Sequence, residues 1–276
     1  MERRDLGLTG IQLPVIGVGA RASFDVFGKE GQSARRSLVD EALAESANFF
    51  ETSPDSGDAD GILASSLTGR RQRAIVATSL RPGDSRLVHA KIDRILRLFE
   101  ERLDILLVEG PSAWPDFQPV FRQMKSDGTL RVAGVTCSDA SEFPALAQLM
   151  RVGDLDVIQI PYNPATPQAM REILPLAASM GTGVIVVQPF ESGLLLDVAA
   201  ANFLTSPLRR LGVRSIPEAI LKWILSDPRV ASVVVGTRRQ RHLLENLRAG
   251  NPPWMGQPQR SAMVEHYRMY PVDLRY

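Results

Sequence analysis

Short, unbroken apolar runs rich in Val, Ile and Leu recur along the chain. Each is followed by a polar turn and then by a stretch with apolar residues at helical spacing. The runs are Pro14–Gly19, Asn48–Glu51, Ala74–Ser79, Ile105–Glu109, Val132–Val135, Val157–Ile160, Gly183–Gln188 and Ser232–Val235. Most lack the alternation of a strand with one wet face, so they read as strands buried on both sides. The stretches between them, among them Ser33–Ala47, Arg86–Arg97, Phe117–Asp127 and Pro217–Leu225, predict amphipathic helices. Strand and helix in regular alternation predict a parallel sheet with right-handed crossovers. Eight such units in 276 residues favour closure into an α/β fold of the (β/α)8 (TIM) barrel type, with residues 1–276 as one domain. An open Rossmann sheet is the alternative. However, the first strand, ending IGVGA at Ala20, runs into Arg-Ala-Ser without a Gly-x-Gly-x-x-Gly.

Two segments fall outside the repeat. Residues 4–13 (RDLGLTGIQL) read as an N-terminal β-hairpin, two short apolar arms about a Thr9-Gly10 turn. The C-terminal tail, residues 251–276, opens on Pro252-Pro253 and holds Trp254, Tyr267 and Tyr270. It is expected to wrap the barrel, with one helix from Pro258 to Met269. In a parallel barrel, function sits where the strands end and the loops after them begin. That rule selects Ala20-Arg21, Glu51–Ser56, Ser79–Arg81, Glu109-Gly110, Thr136-Cys137, Tyr162-Asn163, Gln188–Gly193 and Gly236–Arg239.

Composition narrows the function classes. Hydrophobic residues make up 44% and charged residues 23%, ordinary for a chain that buries a large core. A net charge of +1 gives no pull toward nucleic acid or an anionic membrane. No apolar run approaches the roughly 20 residues needed to span a bilayer, and the charged start MERRD does not read as a signal peptide. Cys137 is the only cysteine, so no intrachain disulfide can form, and a reducing, cytoplasmic setting fits. The only lysines are Lys29, Lys91, Lys125 and Lys222.

The segments RDLGLTGIQLPVIGVGA, ANFFETSPDSGDADGILASSL, DILLVEGP, LRVAGVTCS, VIQIPYNP, VIVVQPFESGLL and LSDPRVASVVVGTRRQRHLLENL, in that order, resemble the aldo-keto reductases over nearly the whole chain. The likeness is nearest to a bacterial sugar- and aldehyde-oxidising branch. The resemblance implies NADPH-dependent carbonyl reduction, with a tyrosine as proton donor, a lysine and an aspartate that lower its pKa, and a histidine that orients the carbonyl. Carried over by position, the aspartate falls at Glu51, the tyrosine at Ser56, the lysine at Ser79 and the histidine at Glu109, so all four catalytic positions differ. The only tyrosines are Tyr162, Tyr267, Tyr270 and Tyr276, and no lysine lies between Lys29 and Lys91, so no shift of alignment restores the set.

Glu51 and Glu109 end the second and fourth strands of a narrow barrel and are expected to approach each other. Mutual repulsion and desolvation would raise a pKa, leaving one of them protonated near neutrality as an acid. Arg21 and Arg81 are the candidate counter-charges; an arginine on Glu51 would make it an ionised, structural group instead. A metal held by Glu51, Asp55 and Glu109 lacks nearby histidines, and no metal is expected. The resemblance also implies a cofactor site for NADP(H). It takes in Thr136, Cys137, Gln159 and Gln188 at the nicotinamide end, with Val187 sharing the stacking position. Gly193, Gly236, Thr237, Arg238, His242, Glu245 and Asn246 lie along the pyrophosphate and adenosine end, with Arg239 beside them and Glu191 adding negative charge. Cys137 reads alternatively as a plain buried thiol. The expected partner is a small molecule. The expected function is a binding or regulatory relative with impaired carbonyl reduction, or else an active enzyme whose acid–base site is rebuilt around Glu51 and Glu109.

Overall fold

The structure, a computed structural model, describes residues 1–21, 23–198 and 206–270. An antiparallel hairpin, β1 (Arg3–Asp5) and β2 (Gln12–Pro14), precedes the barrel, with Arg3 opposite Pro14. The barrel strands are β3 (Ile16–Gly19), β4 (Phe49–Thr52), β5 (Ile75–Leu80), β6 (Leu103–Glu109), β7 (Leu130–Thr136), β8 (Val157–Pro161), β9 (Gly183–Val187) and β10 (Ser232–Gly236). They close in chain order, β10 pairing in parallel with both β9 and β3, as the alternating pattern predicts.

Around them run α1 (Gly28–Ala44), α2 (Ala59–Ser66), α3 (Ser85–Leu98), α4 (Trp114–Ser126), α5 (Phe143–Val152), α6 (Ile173–Met180), α7 (Leu194–Val198), α8 (Ser206–Arg210), α9 (Ile216–Leu225) and α10 (Gln240–Arg248). Helix α1 starts at Gly28, before the expected Ser33, because its first turn is exposed and polar and carries no apolar period. Helix α3 starts at Ser85, one residue before the expected Arg86: the Asp84 carboxylate accepts from the amides of Arg86 and Leu87 and so satisfies two unpaired donors. Among the described residues no helix is long and apolar enough to cross a membrane.

Alternation along each strand sorts the side chains into two cores. Ile16, Phe50, Val76, Leu106, Val108, Ile158, Val186 and Val235 pack outward under the helices. Phe49, Ala77, Ile105, Leu107, Val132, Val157, Ile185 and Val234 pack inside the barrel, joined by Leu6, Ile11 and Leu13 of the hairpin, which floor its N-terminal end. The interior is narrow enough to require glycine: a Cβ on Gly17 would lie 2.4 Å from the Phe49 ring.

The tail wraps the barrel. Its helix α11 (Gln257–Met269) begins one residue before the expected Pro258, and residues 271–276 lie outside the described part. Trp254 Nε1 donates to Glu2, Trp223 Nε1 donates to the Arg260 carbonyl, and Arg260 donates to the buried Tyr162 hydroxyl at 2.6 Å.

Candidate functional site at the barrel mouth

The same alternation that puts Phe49 inside puts Glu51 inside one layer higher. From Ala77 it places Ser79, from Leu107 Glu109, from Val132 Thr136, and from Val157 Gln159. The register ties this rim together, since Glu109 sits opposite Thr136 and Thr136 opposite Gln159. A rim of mixed polar groups thus caps an apolar interior at the C-terminal ends of the strands, the end where barrels carry their sites.

The two glutamates differ in their partners. Arg21 Nη2 donates to Glu109 Oε1 at 2.7 Å, Arg81 Nε donates to Oε2 at 2.9 Å, and the Ser79 hydroxyl reaches Oε1 at 3.3 Å. The bond to Glu109 raises the Arg81 pKa further. Glu51 is 6% exposed, and among the described residues no hydrogen bond or ion pair reaches its carboxyl group. Its backbone carbonyl accepts from the amide of Ala20, which seats it beside Arg21. Burial pushes the Glu51 pKa up to about 7; Arg21 pulls it down and Glu109 adds to the rise, so the three groups share one electrostatic field. Neither arginine is spent on Glu51.

Ser56, half-buried, lies in the loop after β4, its amide bonded to the Ser53 carbonyl. Asp55 before it pairs through Oδ1 with Lys91 of α3 at 2.6 Å, while its buried Oδ2 has no partner. Asp55 therefore belongs to a lysine rather than to a cluster with Glu51 and Glu109. The Lys91 contact was not foreseen from the sequence. Its only signal was a lone lysine on an otherwise arginine-rich helix.

On the other side of the rim, the Gln159 amide nitrogen is buried without a partner. Cys137 packs in the helix-facing core at 1% exposure, its thiol pKa pushed up by burial and by Glu142 and Asp139. Thr136, one residue earlier, is the one that alternation turns inward. Beyond β9 the chain takes a series of left-handed conformations, at Gln188 (φ 53°), Glu191 (46°), Ser192 (55°) and Gly193 (99°). Backbone of this kind persists only when its surroundings hold it. The buried Asn163 does so: its Nδ2 donates to the Gln188 carbonyl and, at 2.6 Å, to Glu191, while its Oδ1 accepts from the amides of Ala165 and Thr166. Glu191 is thus buried against Asn163 rather than held out in solvent.

After β10, the Thr237 hydroxyl accepts from the Arg239 amide, and Arg238 and Arg239 are exposed. His242, Glu245 and Asn246 share one face of α10 by their spacing; Asn246 is buried and the other two are half-buried.

The sequence matches the Aldo/keto reductase family over residues 15–255, a span that takes in every barrel strand and stops short of α11. The chain belongs to the aldo/keto reductase family. It is similar to the L-galactose dehydrogenase of Arabidopsis thaliana, 26% identical over 284 residues that cover 90% of this chain and 88% of that protein. It is also similar to the NADH-specific methylglyoxal reductase of Escherichia coli K12, 24% identical, with 91% and 94% covered. A solved aldo/keto reductase from Klebsiella pneumoniae, in complex with NADP and acetate, shares the fold: TM-score 0.81 at 17% identity, covering 100% of this chain and 98% of that one.

Proposed function

We propose that this aldo/keto reductase binds NADP(H) but is impaired in ordinary carbonyl reduction, serving chiefly as a binding or regulatory protein. The observation that carries the reading is the make-up of the rim. Glu51, Ser56, Ser79 and Glu109 stand where the family resemblance places aspartate, tyrosine, lysine and histidine; among the described residues no phenol takes their place, and the one ammonium group near Ser56, on Lys91, is paired with Asp55. Tyr162 is bound by Arg260, and the Tyr267 hydroxyl by the Leu195 carbonyl. A positioned general acid contributes about 10²–10⁴-fold to a proton transfer, and a serine hydroxyl of ordinary acidity does not replace a tuned phenol.

The residues present fit the cofactor. The unpartnered amide nitrogen of Gln159 suits the nicotinamide carboxamide, with Thr136 beside it and Val187 and Gln188 along the ring, while the Cys137 thiol packs outward under the helices and takes no part. The turn at Gly193 and the segment Gly236, Thr237, Arg238, His242, Glu245 and Asn246 suit the pyrophosphate and the adenosine phosphate. When bound, the cofactor supplies hydride. A second reading, an active enzyme with Glu51 as its acid–base group, is favoured by one observation: that carboxyl is buried, unpartnered and titrates near neutrality.

Titrating the purified protein with NADPH while following its fluorescence tests the first reading, and no binding at millimolar cofactor would overturn it. Turnover of a broad aldehyde panel at rates usual for the family would overturn the impairment. Turnover that disappears in Glu51→Gln would select the second reading.

A further inference from the structure

The two arginines at the rim are only partly used. Each guanidinium carries five N–H groups, yet among the described residues Arg21 meets an acceptor only through Nη2 and Arg81 only through Nε. Both are held from below by one carboxylate, one on each oxygen, and both reach solvent, with 34% of the Arg21 side chain and 58% of the Arg81 side chain exposed. Two guanidiniums tied to the two oxygens of one carboxylate, each with unused N–H groups and solvent access, can together take a planar anion.

A second, independent observation lies beneath them. Glu51 is more than nine-tenths buried, has no protein partner, and feels both Arg21 and Glu109. Its oxygens are not among the described side-chain atoms sealed from solvent without a partner, so an incoming oxygen atom can reach the carboxyl and accept its proton in a hydrogen bond. Charge sets the class of anion. Arg21 and Arg81 stand against Glu109 alone, and the neighbouring Lys91–Asp55 pair is neutral in itself, so a neutral Glu51 leaves a single positive charge. A monoanion balances that charge better than a phosphate dianion does.

We propose that the barrel mouth is a subsite for a small monocarboxylate with a carbonyl or hydroxyl oxygen beside its carboxyl carbon. The carboxylate lies on the open N–H groups of Arg21 and Arg81, and the neighbouring oxygen meets Glu51. The assignment rests on reading this end of the barrel as the ligand site, but it does not require bound NADP(H).

Calorimetric titration of the full-length protein with pyruvate, its neutral amide pyruvamide, propionate and inorganic phosphate tests it, in the presence and absence of NADPH. Pyruvate should bind most tightly, and Arg81→Met and Arg21→Met should each weaken it about tenfold or more. Glu51→Leu should erase the preference for pyruvate over propionate while leaving propionate binding in place. Arg81 is largely exposed, so Arg81→Met should keep the native melting temperature and report on binding alone. Pyruvamide binding as well as pyruvate, phosphate binding more tightly, or both arginine variants binding normally would overturn the proposal. Pyruvate binding without any NADPH binding would sink the cofactor reading and leave this one standing.

Discussion

Glu51 and Glu109 share the inner rim of the barrel, yet both nearby arginines go to Glu109 and none to Glu51. One carboxylate is therefore clamped and the other is left to titrate. This asymmetry has consequences that can be measured on the unliganded protein.

The first concerns pH. A carboxyl whose pKa is higher in the fold than in the open chain keeps its proton longer when folded, so the folded state binds more protons between the two values. The contribution of Glu51 to stability is then full below about 4.5, falls as the pH rises toward about 7, and levels off above. A shift of that size corresponds to roughly 3 kcal/mol at most. Glu51→Gln, which keeps the shape and removes the titration, should flatten the stability–pH curve and stabilise the protein at pH 8 but not at pH 4. Denaturant unfolding across that range checks it.

Removing the clamped partner should act on the free one. In Glu109→Gln the repulsion that raises the Glu51 pKa is gone while Arg21 remains, so Glu51 should titrate at a lower pH than in the native protein. Arg21→Met should move it the opposite way. Carboxyl NMR shifts followed through a pH titration read both, and an unmoved Glu51 midpoint would show that the three groups are not coupled.

Packing inside the barrel gives a third test. A Cβ on Gly134 would lie 1.9 Å from the Val157 carbonyl oxygen, a backbone atom that cannot swing away. Gly134→Ala must push β7 from β8, at a cost on the order of 3 kcal/mol. Thermal and urea unfolding should show the loss, and a native melting temperature would contradict the close approach.

The tail helix offers a fourth. Arg260 donates to the buried Tyr162 hydroxyl, lies 3.5 Å from Asp227 and stacks over Trp223. Arg260→Ala strips the Tyr162 hydroxyl of that donor, worth about 1–3 kcal/mol. The tail helix should then become an early site of limited proteolysis while the barrel core stays resistant.

Much of this was legible in the residues. Short apolar runs marked every barrel strand, most of them rich in Val, Ile and Leu and β4 carrying two phenylalanines, because a strand covered on both faces has no polar side to show. The same logic missed the first turn of α1, where nothing apolar faces the core. Strand ends named Glu51, Ser79 and Glu109, and alternation explains why they point inward. Which glutamate the arginines would choose was not legible, because Arg21 and Arg81 lie in loops whose course no periodicity encodes. Nor was the brace at Asn163, whose contacts to Glu191 and Gln188 join residues distant in sequence through left-handed backbone.

The hairpin floor decides how anything comes and goes. With Leu6, Ile11 and Leu13 packed into the lower interior, the barrel is closed at its N-terminal end and a guest can enter only at the opposite rim. If two guests lie one above the other there, the deeper must arrive first and leave last. Order of binding is in that case a property of the architecture, set by three leucine and isoleucine side chains at the opposite end from the chemistry.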